Sequence, residues 1–144
     1  MAIQIQNVAM KAPTSEQSDW ARDSRLRVAE TYREWTAEGP LDFAPMLALI
    51  EHVGKSGHAS LLSAGTSLHH LIIAAAADVR SPNNLAEDAP SICITQLAKE
   101  FEFRDARGRR RKCLFDRAAD LLDVHLIRLS MQADSDTAGT LPLN

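Results

Sequence analysis

The chain has 144 residues and a mass of 15.8 kDa; 45% of its residues are hydrophobic and 24% are charged. This composition suits one domain able to build a core without metal or disulfide staples, and it excludes a wholly disordered chain. Sixteen Lys+Arg against 19 Asp+Glu give a net charge of -3, so the protein is not cationic throughout.

The N-terminal MAIQIQNVAMKAP lacks the charged region and continuous apolar run of a signal peptide. The most apolar stretch, Leu71–Ala77, is too short to span a bilayer. A cytoplasmic location without membrane contact is therefore expected. Residues 1–17 read as a flexible arm, within which Ile3, Ile5 and Val8 could pair as an edge strand on a partner. Residues 18–132 read as a single globular helical domain with a basic hairpin, and residues 133–144 as a flexible tail.

The first predicted element is a helix capped by Ser18, with Leu26, Ala29, Tyr32 and Trp35 at helical spacing. Gly39-Pro40 stops it, because glycine accepts a left-handed conformation and proline cannot continue the helix. A second helix from Asp42 carries Phe43, Met46, Leu47, Ile50 and Val53 on one stripe. A third is expected from about Ser60 to Val79, with Leu61, Leu62, Leu68, Leu71, Ile72 and Ala75 facing inward. The turn-forming Arg80–Asn84 segment would end it.

Residues 92–97 fit a strand or a short helix capped by Thr95, and residues 124–131 are equally ambiguous. Between them, Phe101 and Phe103 alternate with polar residues, Asp105-Ala106-Arg107-Gly108 has turn chemistry, and Cys113 and Phe115 resume the alternation. That pattern predicts a β-hairpin with Gly108 at positive φ. Asp116 would cap a last helix through Ala119, Leu122, Leu126 and Leu129. The expected fold is mainly α (α+β): a bundle of four to five helices with a small β-hairpin near residues 101–115.

Arg104, Arg107, Arg109, Arg110, Arg111 and Lys112 place six of the 16 basic residues within nine positions. Without residues 104–112 the chain holds 10 Lys+Arg against 18 Asp+Glu, a net charge of -8. A basic hairpin on an acidic body points to an anionic partner, nucleic acid or nucleoprotein, gripped through phosphates. The segment ITQLAKEF looks like the opening helix of a helix-turn-helix, but no recognition-type helix follows it. The alternative is a surface whose arginines pair with Glu100, Glu102, Asp105 and Asp116, or which meets an acidic protein. The first functional reading is thus a non-enzymatic binding or regulatory module. The second is a protein-only adaptor, chaperone or phage-type assembly subunit, with homo-oligomerisation through apolar helices. Trp20 could dock on a partner, whereas Tyr32 and Trp35 read as core anchors.

No cofactor, catalytic set or metal site emerges. His52 and His58 are six residues apart and His69-His70 are adjacent, neither being a ligand spacing. Gly54-Lys55-Ser56 lacks the upstream glycine of a phosphate-binding loop. Cys93 and Cys113 form no CxxC and have no histidine at motif spacing, so they read as reduced, buried hydrophobes. His52-Val53-Gly54-Lys55-Ser56 resembles the core pattern of histidine phosphotransfer domains, a histidine followed three residues later by lysine and then a small residue. The resemblance implies a third reading, in which His52 accepts a phosphoryl group and Lys55 offsets its charge.

Overall fold

The computed structural model describes residues 15–75 and 91–137. Two helices come first, α1 (Ser15–Glu38) and α2 (Ala44–Lys55), followed by a single 3-10 turn at Ala59–Leu61. Five strands follow: β1 (Leu62–Ser67), β2 (His70–Ala75), β3 (Ser91–Gln96), β4 (Glu100–Asp105) and β5 (Arg110–Leu114). A second 3-10 turn, Phe115–Arg117, leads into α3 (Ala118–Thr137). All strands pair antiparallel with their sequence neighbours, giving the order β1-β2-β3-β4-β5.

The expected bundle of four to five helices is thereby corrected. Among the described residues there are three helices and a five-stranded antiparallel sheet, an α+β architecture. The largest departure is the helix expected from Ser60 to Val79. Its described part is the β1–β2 hairpin, in register from Leu62↔Ala75 to Ser67↔His70; residues 76–90, including the Arg80–Asn84 turn, lie outside the described residues. A short Leu/Ile/Ala run satisfies either period, and here Gly65, Thr66 and Ser67 disfavour helix while Ile72-Ile73 favour strand. Leu71 and Ile73 are fully buried and alternate with half-buried His70 and Ile72, the period of two that a strand requires.

Residues 92–97 resolve the same way. Ile92 and Ile94 point into the core while Cys93 and Thr95 do not, and a tight turn from Leu97 to Lys99 leads into β4, closed by the Leu97 N–H on Glu100 O at 2.8 Å. ITQLAKEF therefore spans two strands and opens no helix-turn-helix. Residues 124–131 lie within α3. The hairpin expected near residues 101–115 is β4–β5, the last pair of the sheet rather than an appendage on a bundle. Residues 15–17 already belong to α1 and 133–137 to α3, while 1–14 and 138–144 lie outside the described residues.

All three helices cover one face of the sheet. α1 buries Ala21, Ser24, Val28, Ala29 and Tyr32, a stripe rotated away from Leu26, which is 60% exposed; Ser18 sits inside the helix, not at its cap. Gly39 ends α1 with its N–H on Trp35 O at 3.0 Å. Thr36 Oγ1 accepts from the Phe43 N–H and Asp42 Oδ1 from the Ala44 N–H, which sets the start of α2. Met46, Leu49, Ile50 and Val53 of α2 join Leu122, Leu126 and Leu129 of α3 over Ile73, Ile92, Ile94, Phe101 and Phe103 of the sheet. Asp116 falls in the 3-10 turn, and α3 begins two residues later.

α1 also lies along the outer edge of β1. Ser24 Oγ accepts from the Ala64 N–H at 3.0 Å, and Arg25 donates to Leu62 O at 2.8 Å and Ala59 O at 2.6 Å. Farther along, Tyr32 Oη donates to His69 O at 2.9 Å, in a ring cluster with Trp35 and Phe43. Burial pushes the Tyr32 phenol well above its ordinary pKa.

Leu68 and His69 alone join β1 to β2. Leu68 has φ 57°, a left-handed conformation costly for a side chain with a Cβ, and is 83% exposed. Replacing Leu68 by Gly relieves about 1–2 kcal/mol of strain against about 0.5–1 kcal/mol of added unfolded-state entropy. Leu68→Gly should therefore raise the urea midpoint slightly. Gly108→Ala, at φ 83°, should lower it. A fall with Leu68→Gly would show that the leucine makes contacts worth more than its strain.

Candidate anion-binding surface

The β4–β5 turn is organised by one carboxylate. Gly108 donates to Asp105 O at 2.9 Å, and the Asp105 N–H donates to Arg109 O at 3.0 Å, closing a turn that needs the positive φ of Gly108. Asp105 Oδ1 accepts from the N–H groups of Arg107 and Arg109, at 3.0 and 2.9 Å. Asp105 Oδ2 accepts from Arg109 Nε at 2.7 Å. Desolvation alone would raise the Asp105 pKa, but the hydrogen bonds from Arg109 and Arg107 and the Arg109 charge outweigh it and hold the carboxyl below its ordinary value.

Register then sorts the six clustered cations. Arg104, Arg110 and Lys112 lie on the face of the sheet that carries no helix among the described residues, where Arg104 stands opposite Arg110 and Glu102 opposite Lys112. Arg107 projects from the turn and is exposed. Arg109 is committed to Asp105. Arg111, opposite Phe103, lies on the helix-covered side. Of Glu100, Glu102, Asp105 and Asp116, only Asp105 forms an ion pair with the cluster among the described residues.

The face without a described helix carries no Phe, Tyr or Trp; its one ring is the His70 imidazole, held to Thr95 Oγ1. Its strand positions are Ser63, Gly65 and Ser67; His70, Ile72 and Ala74; Ser91, Cys93 and Thr95; Glu100, Glu102 and Arg104; and Arg110, Lys112 and Leu114. Phe101 and Phe103 point into the core, and Phe115 packs on Phe101 at 4.7 Å between ring centroids. Cys93 stands opposite Arg104; burial raises its thiol pKa, only partly opposed by the Arg104 charge and hydrogen bond, while Glu102 adds to the rise. A protonated thiol is a poor nucleophile. Cys113 is likewise free and half-buried.

Charge density along the sequence did not reveal Arg128 of α3. His125 stacks on Phe103 with centroids 5.5 Å apart and planes 3° from parallel. Burial, and then Arg128, Arg111 and Arg109, lower its pKa, against an opposing pull from Asp105. Arg111 and Arg128 thus extend the positive potential around β5 to the helix side of the sheet. Only the approach of α3 to β5 brings them together.

The remaining histidines are dispersed. His52 of α2 bonds Asp123 of α3, Nε2 to Oδ1, at 2.6 Å. That contact ties two helices, and it sets an anion where an incoming phosphoryl group would need a cation; Lys55 lies at the exposed end of α2. His69 and His70 belong to the β1–β2 hairpin rather than a helix: His69 packs edge-on to Trp35, and His70 Nδ1 meets Thr95 Oγ1 at 2.8 Å. Among the described residues no three His, Cys, Asp or Glu side chains are grouped to hold a metal ion, and no helix is long and apolar enough to cross a membrane. Trp20 lies under the Arg27 guanidinium, 4.8 Å from its ring centroid.

Against known proteins, the chain matches no family model, no curated protein and no solved structure. The functional reading therefore rests on its own residues.

The Asp105 geometry gives a pH-dependent expectation. A carboxyl whose folded-state pKa is depressed contributes stability that is present above its unfolded value and lost as pH falls through the folded one. Asp105→Asn keeps an acceptor oxygen but loses the charge. It should be less stable than wild type at pH 7, with the two converging in acid, below the ordinary carboxylate range. Urea unfolding at pH 7 and in acid checks this; a difference that persists in acid would assign the loss to turn geometry rather than charge.

Proposed function

We propose that the chain is a non-enzymatic binding module whose β4–β5 hairpin contacts nucleic acid through its phosphates. The observation that carries this reading is the co-facial set Arg104, Arg110 and Lys112, with Arg107 at the adjoining turn. Alternate positions on neighbouring strands present these side chains together, on the side that no helix covers among the described residues. A phosphate chain laid across the hairpin exchanges its condensed counterions for these cations, a gain that falls as salt rises.

The neighbouring face also limits what is recognised. It carries no Phe, Tyr or Trp, and its one imidazole, His70, is held to Thr95, so it offers little on which bases could stack and the contact is chiefly to backbone, with little sequence information. Affinity is accordingly modest, in the range of non-specific binding at about 1–100 µM.

Fluorescence anisotropy of the full chain with a mixed-sequence duplex tests the proposal. About four phosphate contacts predict a slope of log K against log salt near -3.6. Arg110→Glu with Lys112→Glu should abolish binding, whereas Arg33→Gln, an exposed α1 cation remote from the hairpin, should leave the slope unchanged. No binding at 25 mM salt, or binding indifferent to the double reversal, overturns the proposal. An acidic protein would then be the better candidate partner.

A further inference from the structure

Helix α3 is apolar on two sides. Ala118, Leu122, Leu126 and Leu129 are buried in the core, while Val124, Ile127 and Met131 are 44%, 49% and 63% exposed. At about 100° per residue the exposed set forms a second stripe on the side of the helix opposite the first. A solvent-facing side would ordinarily be polar. The charges along this stripe are ordered as well. Asp120 lies one turn before Val124 and Arg128 one turn after it; both are exposed, and neither has an ion-pair partner among the described residues.

We propose that this face of α3 pairs with the same face of a second copy of the chain, antiparallel about a two-fold axis at Val124. Because Asp120 and Arg128 are equally far from Val124, the two-fold brings each Asp120 within reach of the partner's Arg128, twice over. A parallel pair in register would instead set Asp120 against Asp120 and Arg128 against Arg128. The antiparallel pair also opposes the two helix dipoles. Asp120 on one side of Val124 and Ile127 and Arg128 on the other make this part of the surface self-complementary, as an isologous interface requires. The stripe is short, so the dimer is reversible and forms in the micromolar range.

Sedimentation velocity of the full chain from about 1 to 500 µM tests this, with circular dichroism confirming that each variant is folded. Wild type should shift from monomer to dimer with rising concentration. Asp120→Arg alone, or Arg128→Asp alone, turns two attractive contacts into two repulsive ones and should weaken the dimer about tenfold or more. The double exchange, Asp120→Arg with Arg128→Asp, should restore it, because the pairs re-form with their signs reversed. A chain that stays monomeric throughout overturns the proposal, and points to another occupant such as a different part of the same chain. A dimer that survives either single exchange, or that the double exchange fails to restore, also overturns it, since the contact then lies elsewhere or runs in another register.

Discussion

The sheet depends on how its first edge is closed. β1 has a sheet neighbour on one side only, so the N–H of Ala64 and the carbonyl of Leu62 face outward without a strand to receive them. Ser24 and Arg25, adjacent on α1, supply the missing acceptor and donor. The half-buried guanidinium is costly to place: desolvation, and then Arg22, lower its pKa. Two short bonds from a charged donor to backbone carbonyls offset that cost, since such bonds are stronger than neutral ones. With Tyr32 bonding the β1–β2 turn, α1 is fixed along the length of β1. This fixes the helices on one face and leaves β5 as the other edge of the meander.

The second edge is handled by charge rather than by cover. Arg110, Arg111 and Lys112 are consecutive, exposed and at the rim of the sheet. Such residues deter another strand from adding, and two β5 strands brought together would repel one another. The same repulsion turns the edge into a place where only an anionic partner is welcome. Protection against self-pairing and attraction for phosphate are therefore one physical property, expressed toward different neighbours. The apolar stripe of α3 complements this arrangement, because the proposed pairing through a helix engages Arg128 but leaves the cations of β5 free.

Local chemistry explains which parts of the fold were legible in the sequence. Asp105–Gly108 turns β4 into β5 because the backbone there needs the positive φ of Gly108, and α1 ends at Gly39-Pro40 because proline cannot continue the helix, although Gly39 does not take the left-handed conformation expected of it. β1 and β2 were read as helix and β3 was left between strand and helix, because segments this short have no decisive period of their own and their identity as strands comes from pairing with their neighbours. The helical phase of α1 was misread for a related reason. Leu26 is more apolar than Ser24, yet Ser24 is buried because the edge of β1 needs its hydroxyl. The basic cluster was legible as density of charge, but not as a surface. Which cations are free depends on strand phase and on Asp105, which claims Arg109; that Arg128 joins them depends on the docking of α3.

The allocation of aromatic rings sharpens what the surface can do. The chain has four Phe, two Trp and one Tyr. Tyr32, Trp35 and Phe43 cluster with His69 at one end of the helix layer. Phe101, Phe103 and Phe115 cluster at the other, joined by His125. Trp20 is covered by Arg27. Every ring is thus engaged within the fold, and none stands on the helix-free face. A sheet that read nucleotide bases would present rings there. This one presents arginine and lysine interspersed with glutamate, small residues and hydroxyls, a surface suited to sensing the charge of a polymer rather than its sequence.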